Sequence, residues 1–172
     1  LESKLIHGVR AGVFPGASGG AAWWQGDEVQ SVSAQAGLLC AGGAAVDLQS
    51  EYDLASLTKP HLALVTLRLA ESGALDPRLP VATWLPEISE LPGGRASLNE
   101  LLSHRAGLAA WSGFYARCPA AAGSERARRW FLEAVASGVD LDQVPGQSRY
   151  SDLGYMLAGL VLERATGCSL ET

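Results

Sequence analysis

The stretch EYDLASLTKPHLAL, residues 51–64, decides how the chain is read. It contains Lys59, one of two lysines; the other is Lys4, and all remaining Lys/Arg positions are arginines. Arginine stays protonated in any protein setting, whereas burial pulls a lysine amine toward neutrality. A lysine three residues after Ser56 therefore supplies a candidate base for a candidate nucleophile. Pro60 has no N–H to give to the carbonyl of residue 56, so it belongs in the first turn of a helix. That helix is predicted from about Ser56 to Ser72, closed by Gly73. Ser56 then stands at the helix entrance, where free N–H groups and the dipole favour an anion, and Lys59 follows one turn later on the same face. Taken alone, Ser-x-x-Lys is equally an N-capping serine beside a solvated lysine.

Upstream, Leu5, Ile6, Val9 and Val13 mark a short amphipathic helix within residues 1–13. GASGGAAWWQ and VQSVSAQAG flank Gly26-Asp27-Glu28 as a β-hairpin, and 40–50 is loop with a short extended piece. Downstream, the Pro- and Gly-rich run DPRLPVATWLPEISELPGGR, residues 76–95, is read as surface loop. SLNE at 97–100 has capping-box spacing and starts a helix LNELLSHR that Gly107 ends. SERARRWFLEAVASG, 124–138, is a capped helix. A last helix, from about Asp152 to Thr166, follows the PGQSR turn and ends at Gly167.

A length of 172 residues and 48% apolar content suit one domain, or one domain and part of another, with a packed core. A formal charge of −5 without a basic tract argues against nucleic acid as a partner. Apolar stretches are broken well short of the ~20 residues of a membrane span. Cys40, Cys118 and Cys168 are odd in number and far apart, so neither a zinc site nor a disulfide framework is implied. A basic-then-apolar leader is not visible, which leaves cytoplasmic, periplasmic and secreted locations open.

The second chemical motif is Tyr150-Ser151-Asp152 at the start of the last helix. A tyrosine hydroxyl beside a lysine ammonium is acidified and can relay a proton. Alone, the motif is better read as a buried tyrosine bonded to backbone, with Ser151 or Asp152 capping the helix. Together, VFPGASGGAAWW, YDLASLTKP, LNELLSHRAGL and VPGQSRYSDLGYMLAGLVLERATGCSL run in one order over nearly the whole chain. In that order they resemble the serine β-lactamase-like superfamily, in its branch of class C β-lactamases, D-alanyl-D-alanine carboxypeptidases and family VIII esterases.

The resemblance implies an α+β fold, with an antiparallel sheet flanked by helices and a helical subdomain. Residues 1–74 are expected to form part of the α/β domain with the nucleophile helix, 75–150 the helical subdomain, and 151–172 a helix returning to the site. It implies Ser56 as acylated nucleophile, with its backbone N–H as an oxyanion donor, Lys59 as proton acceptor or stabiliser of the base, and Tyr150 as general base and acid. Ser151, Asp152 and His104 are supporting residues, His104 structural rather than catalytic. His7 and His61 look incidental, and core or surface packing accounts for Trp23, Trp24 and Trp111. No metal or organic cofactor is required.

Two departures matter. Asp152 stands where many relatives have Asn, and if it is close to Lys59 its carboxylate favours the ammonium form. This moves the base role toward Tyr150 and disfavours substrates with a nearby carboxylate. The family's third motif, K-T-G or H-x-G on a strand edging the pocket, is absent from the chain. Two strands seldom make a stable sheet. The chain is therefore expected to be the N-terminal portion of a longer enzyme, completed by a further segment or a second chain, with the isolated piece poorly folded and inactive. The expected substrate is a small-molecule ester, amide or peptide: a carboxylic ester first, a D-Ala-D-Ala peptide or β-lactam next. The alternative is a non-catalytic relative that binds a peptidoglycan-like or acyl ligand.

Overall fold

The computed structural model describes residues 1–136 and 147–170. The chain divides into two compact units, Leu1–Leu54 and Ala55–Thr172. The first contains helix α1, Glu2–Arg10, and an antiparallel pair, β1 Gly16–Gln25 and β2 Glu28–Gly37. The hairpin closes on Gly26-Asp27, with Gln25 paired to Glu28 and Gly26 at φ 63°. A two-residue loop needs such a conformation, and glycine reaches it without steric cost. Helix α1 packs on this ribbon: a methyl group added at Gly19 of β1 would meet Leu5, so the small residues of the strand make room for the helix. Among the described residues this pair is the whole sheet, and the expected α+β class with an antiparallel sheet is present.

The second unit is helical. A 3₁₀ turn, Ala55–Leu57, leads into α2, Thr58–Glu71, with Pro60 in its first turn, and Gly73 follows at φ 77°. Short helices α3 Pro92–Arg95, α4 Leu98–Leu102 and α5 Phe114–Arg117 precede the longer α6, Glu125–Ala136, and α7, Asp152–Thr166. Helix α7 is the centre of the core. Leu153, Leu157 and Val161 recur at helical spacing and are buried with Ala158 and Leu162. Helices α4 and α2 pack against it.

Three expectations change. Residues 76–95 are not surface loop: two 3₁₀ turns, Val81–Thr83 and Pro86–Ile88, carry buried Val81 and Ile88, and with Leu85 between them these join the main core. The prolines break long helices but permit these single tight turns, which put one apolar side chain inward every three or four residues. The capping box at Ser97 and Glu100 forms, but α4 stops at Leu102 instead of running to Gly107. His104 takes up φ 60° and its N–H returns to the Leu101 carbonyl, ending the helix early. The stretch expected to be helical from Ser56 begins as a 3₁₀ turn and becomes α-helix at Thr58. Ser124 caps α6, accepting from the Ala127 N–H at 3.2 Å. Residues 137–138 of that predicted helix, and 145–146 of the predicted turn, lie outside the described residues.

Candidate active site

Ser56, Lys59, His104, Tyr150, Ser151 and Asp152 all belong to the second unit, and the fold brings them together from three places in the chain. Ser56 sits exposed on the tight turn before α2. Ala55, immediately before it, has φ 44°, a conformation that costs a residue with a Cβ about 1 kcal/mol or more and is held only by surrounding structure. One turn on, Lys59 directs Nζ back toward Ser56 Oγ, 3.2 Å away.

Tyr150 comes from the other end of the unit. Its hydroxyl donates to Ser56 Oγ at 2.7 Å, across 94 positions of sequence. What holds it there is a set of hydrogen bonds between residues 149–152 and 104–110. Arg149 N–H donates to the His104 carbonyl at 2.8 Å, and Ser151 N–H to His104 Nδ1 at 3.1 Å. Ser151 Oγ donates to the Ala109 carbonyl at 2.7 Å, and Asp152 N–H to the Ala110 carbonyl at 2.8 Å. Ser151 Oγ also accepts from Gly154 N–H at 3.1 Å, so one buried hydroxyl both caps α7 and ties it to the neighbouring loop. His104 is thus placed as a brace: its ring lies 4.6 Å from that of Tyr150, centroid to centroid, and Nδ1 is occupied as an acceptor.

Asp152 closes the set from the first turn of α7. Its Oδ1 accepts from Lys59 Nζ at 2.5 Å, with the lysine side chain 14% and the aspartate 38% exposed. Burial works to lower the Lys59 pKa, but hydrogen bonds to Asp152 and Tyr150 and their negative charge outweigh it, and the ammonium form is held more firmly than in a free lysine. The Tyr150 hydroxyl moves the other way, below the usual tyrosine range, through hydrogen bonding to Lys59 and then to Ser56. His104 is lowered by burial first and by the Lys59 charge second, which keeps its imidazole neutral and Nδ1 free to accept.

Tyr155 belongs to this cluster and was not singled out in the sequence. Its ring lies 5.3 Å from His104, Lys59 Nζ is 5.7 Å from its centroid, and its hydroxyl donates to the Leu102 carbonyl at 2.9 Å. The available signal was its position three residues after Asp152, on the same face of a helix. Trp23, Trp24 and Trp111 are exposed. Among the described residues no group of three or more His, Cys, Asp or Glu side chains is arranged to hold a metal ion, and no helix is long and apolar enough to cross a membrane.

A hydroxyl, a phenol of lowered pKa and a fixed ammonium within hydrogen-bonding reach suit nucleophilic attack with proton relay. Comparison with known proteins agrees in kind. Residues 4–172 match the family described as Beta-lactamase. The chain is 35% identical over 130 residues to N-acetylmuramyl-L-alanine amidase of Bacillus subtilis (strain 168), covering 70% of this chain and 29% of that one. It is 33% identical over 133 residues to esterase EstB of Burkholderia gladioli, covering 67% and 32%. The fold matches a class C β-lactamase from Rhodobacter sphaeroides at TM-score 0.68 and 20% identity, over 97% of this chain and 44% of that one. It also matches D-amino acid amidase from Ochrobactrum anthropi SV3 at TM-score 0.69 and 23% identity, over 95% and 45%. The chain thus spans about a third of the length of these curated relatives.

Proposed function

Because the chain belongs to the β-lactamase family, a family of serine hydrolases, we propose that Ser56 is the nucleophile of a serine hydrolase acting on a carboxylic ester or amide. The observation that carries this reading is the meeting at Ser56 Oγ of Tyr150 Oη, 2.7 Å away, and Lys59 Nζ, 3.2 Å away. Tyr150, ionised to its phenolate, takes the Ser56 proton as Oγ bonds to the carbonyl carbon and the carbonyl electron pair moves onto oxygen. The Ser56 backbone N–H, at the head of α2, is one donor to that oxygen. When the carbonyl re-forms, the bond to the alkoxide or amine breaks and the leaving group takes the proton from Tyr150. Water then attacks the acyl-enzyme and gives its proton to Tyr150, and Ser56 departs with that proton, restoring both groups. Lys59 keeps its proton throughout and stabilises the phenolate.

Among substrates, a carboxylic ester is favoured over a D-Ala-D-Ala-type peptide or a β-lactam. The third family motif and a second oxyanion donor are assigned to a further segment or a second chain. That assignment is supported by the span of the chain relative to its relatives and by the exposed Leu64, Val65 and Leu67 on α2. The same short span favours the second reading, a relative that binds an acyl or peptidoglycan-like ligand without turnover.

Intact-mass spectrometry after a fluorophosphonate probe, with Ser56→Ala as control, separates them. With the completing segment present, a single adduct on Ser56 that disappears in Ser56→Ala is the expected result. An unmodified chain, or an adduct that survives the substitution, leaves the binding reading.

A further inference from the structure

The Asp152 charge that helps hold Lys59 as ammonium also faces whatever substrate reaches Ser56. Lys59 Nζ donates both to Ser56 Oγ, at 3.2 Å, and to Asp152 Oδ1, at 2.5 Å. Activation of Ser56 uses the ammonium and the phenol, and the carboxylate at position 152 supports the ammonium form from one side. An amide oxygen there would accept the same hydrogen bond and leave the lysine charge uncompensated. With Asp152 the pair sums to zero, and the carboxylate is not sealed away: 38% of its side chain is exposed. Lys59 engages Oδ1, and Oδ2 is a further acceptor on the same carboxylate.

An uncompensated ammonium beside a nucleophile attracts donors with a carboxylate close to the scissile carbonyl. A neutral pair removes that attraction, and an exposed carboxylate oxygen adds repulsion and an unfavourable loss of hydration for a second anion. We propose that Asp152 is a specificity-determining residue whose carboxylate offsets the Lys59 charge in the acyl-donor site, so that it takes uncharged esters and amides and rejects donors carrying a carboxylate near the reacting carbonyl. This rests on Ser56 being the nucleophile. It extends to peptides with a free C-terminal carboxylate next to the scissile bond, and to β-lactams with a ring carboxylate. Discrimination of this kind works by penalising the wrong substrate rather than by adding contacts to the right one.

The test uses two matched p-nitrophenyl phosphonates, one with an uncharged side chain and one with a carboxylate in its place. Each bonds its phosphorus to Ser56 Oγ and releases p-nitrophenolate, while the serine proton passes to Tyr150. Rates of adduct formation are read by intact mass on the complete protein, with the segment or chain that supplies the third motif present, and on its Asp152→Asn, Asp152→Glu and Ser56→Ala variants. The wild-type chain should react about tenfold faster with the uncharged probe, from one unit of charge repulsion at close range. Asp152→Asn should bring the ratio to within about twofold of unity, Asp152→Glu should keep it, and added salt should shrink it in the wild type. A wild-type ratio near one, or a ratio unmoved by both Asp152→Asn and salt, overturns the inference while leaving the nucleophile intact. Failure of the uncharged probe to label Ser56 overturns the hydrolase reading and the inference with it. The salt dependence and Asp152→Glu keep the outcome decisive if Asp152→Asn does not fold.

Discussion

Lys59 and Asp152 are 93 positions apart in the chain, and their Nζ and Oδ1 atoms lie 2.5 Å apart. This pairing decides which group carries the proton. Burial alone would bring the lysine toward neutrality, but Asp152 and Tyr150 reverse that and hold it as ammonium. A fixed cation is a poor acceptor, so the base role passes to the phenol whose pKa the same cation lowers.

Tyr150→Phe should therefore slow fluorophosphonate labelling of Ser56 by about 10²–10⁴-fold, the usual range for a lost general base. Its melting temperature should stay near the wild-type value, since the side chain is half-exposed. Labelling within threefold of wild type would show that Tyr150 does not take the proton.

Labelling should also depend on pH in a definite direction. The reactive form has Tyr150 ionised, so the rate rises with pH, with its inflection below the ordinary tyrosine value because Lys59 and Ser56 favour the phenolate. The Asp152 charge opposes that ionisation, so Asp152→Asn should move the inflection to lower pH. A shift to higher pH in a rate profile of the variant would contradict the assignment.

His104 is expected to act through position rather than proton transfer. His104→Ala removes the acceptor of the Ser151 N–H and puts at φ 60° a residue that adopts the left-handed region less readily than histidine. Together these should cost about 2 kcal/mol in chemical denaturation, with slower labelling as Tyr150 loosens. His104→Asn, which tolerates the left-handed conformation better, should recover part of the stability but little of the rate. Equal stability of His104→Ala and wild type would remove the bracing role.

A second half-buried ion pair contributes to stability at acid pH. Arg128 grips Glu163 through Nε and Nη2, both at 2.7 Å, and Leu170 N–H adds a third bond at 3.0 Å. Hydrogen bonding to Arg128 lowers the Glu163 pKa below its ordinary 4.5. Folded-state depression means this stabilisation is complete above the unfolded value and disappears as pH falls through the folded one. Glu163→Gln should cost about 1–3 kcal/mol at neutral pH and flatten the decline below pH 4.5. Parallel acid-denaturation curves for wild type and variant would exclude it.

The buried turns after α2 make a further prediction. Leu85 is fully buried in the core, so Leu85→Ala should lose about 2–5 kcal/mol in urea titration. A surface loop residue would lose almost nothing.

The local devices of this chain are legible from its residues because their partners lie within three or four positions. Ser97 and Glu100 form the predicted capping box, Ser151 and Gly167 bound α7, and Pro60 marks the first turn of α2. The hairpin follows from Gly26-Asp27 for the same reason. The pattern of 76–95 was misleading, since proline and glycine announce turns without saying whether a turn is wet or dry. Only packing against α6 and α7 settles that Val81, Leu85 and Ile88 are core. Ser56 and Lys59 are neighbours by helical geometry alone, which is why the sequence by itself determined that pair. Their meeting with Tyr150 and Asp152, the early end of α4 at His104 and the part played by Tyr155 were decided by tertiary structure. The Tyr150 and Asp152 positions depend on laying residues 149–152 against residues 104–110, through hydrogen bonds between partners more than forty positions apart, which no local pattern announces until the chain is folded.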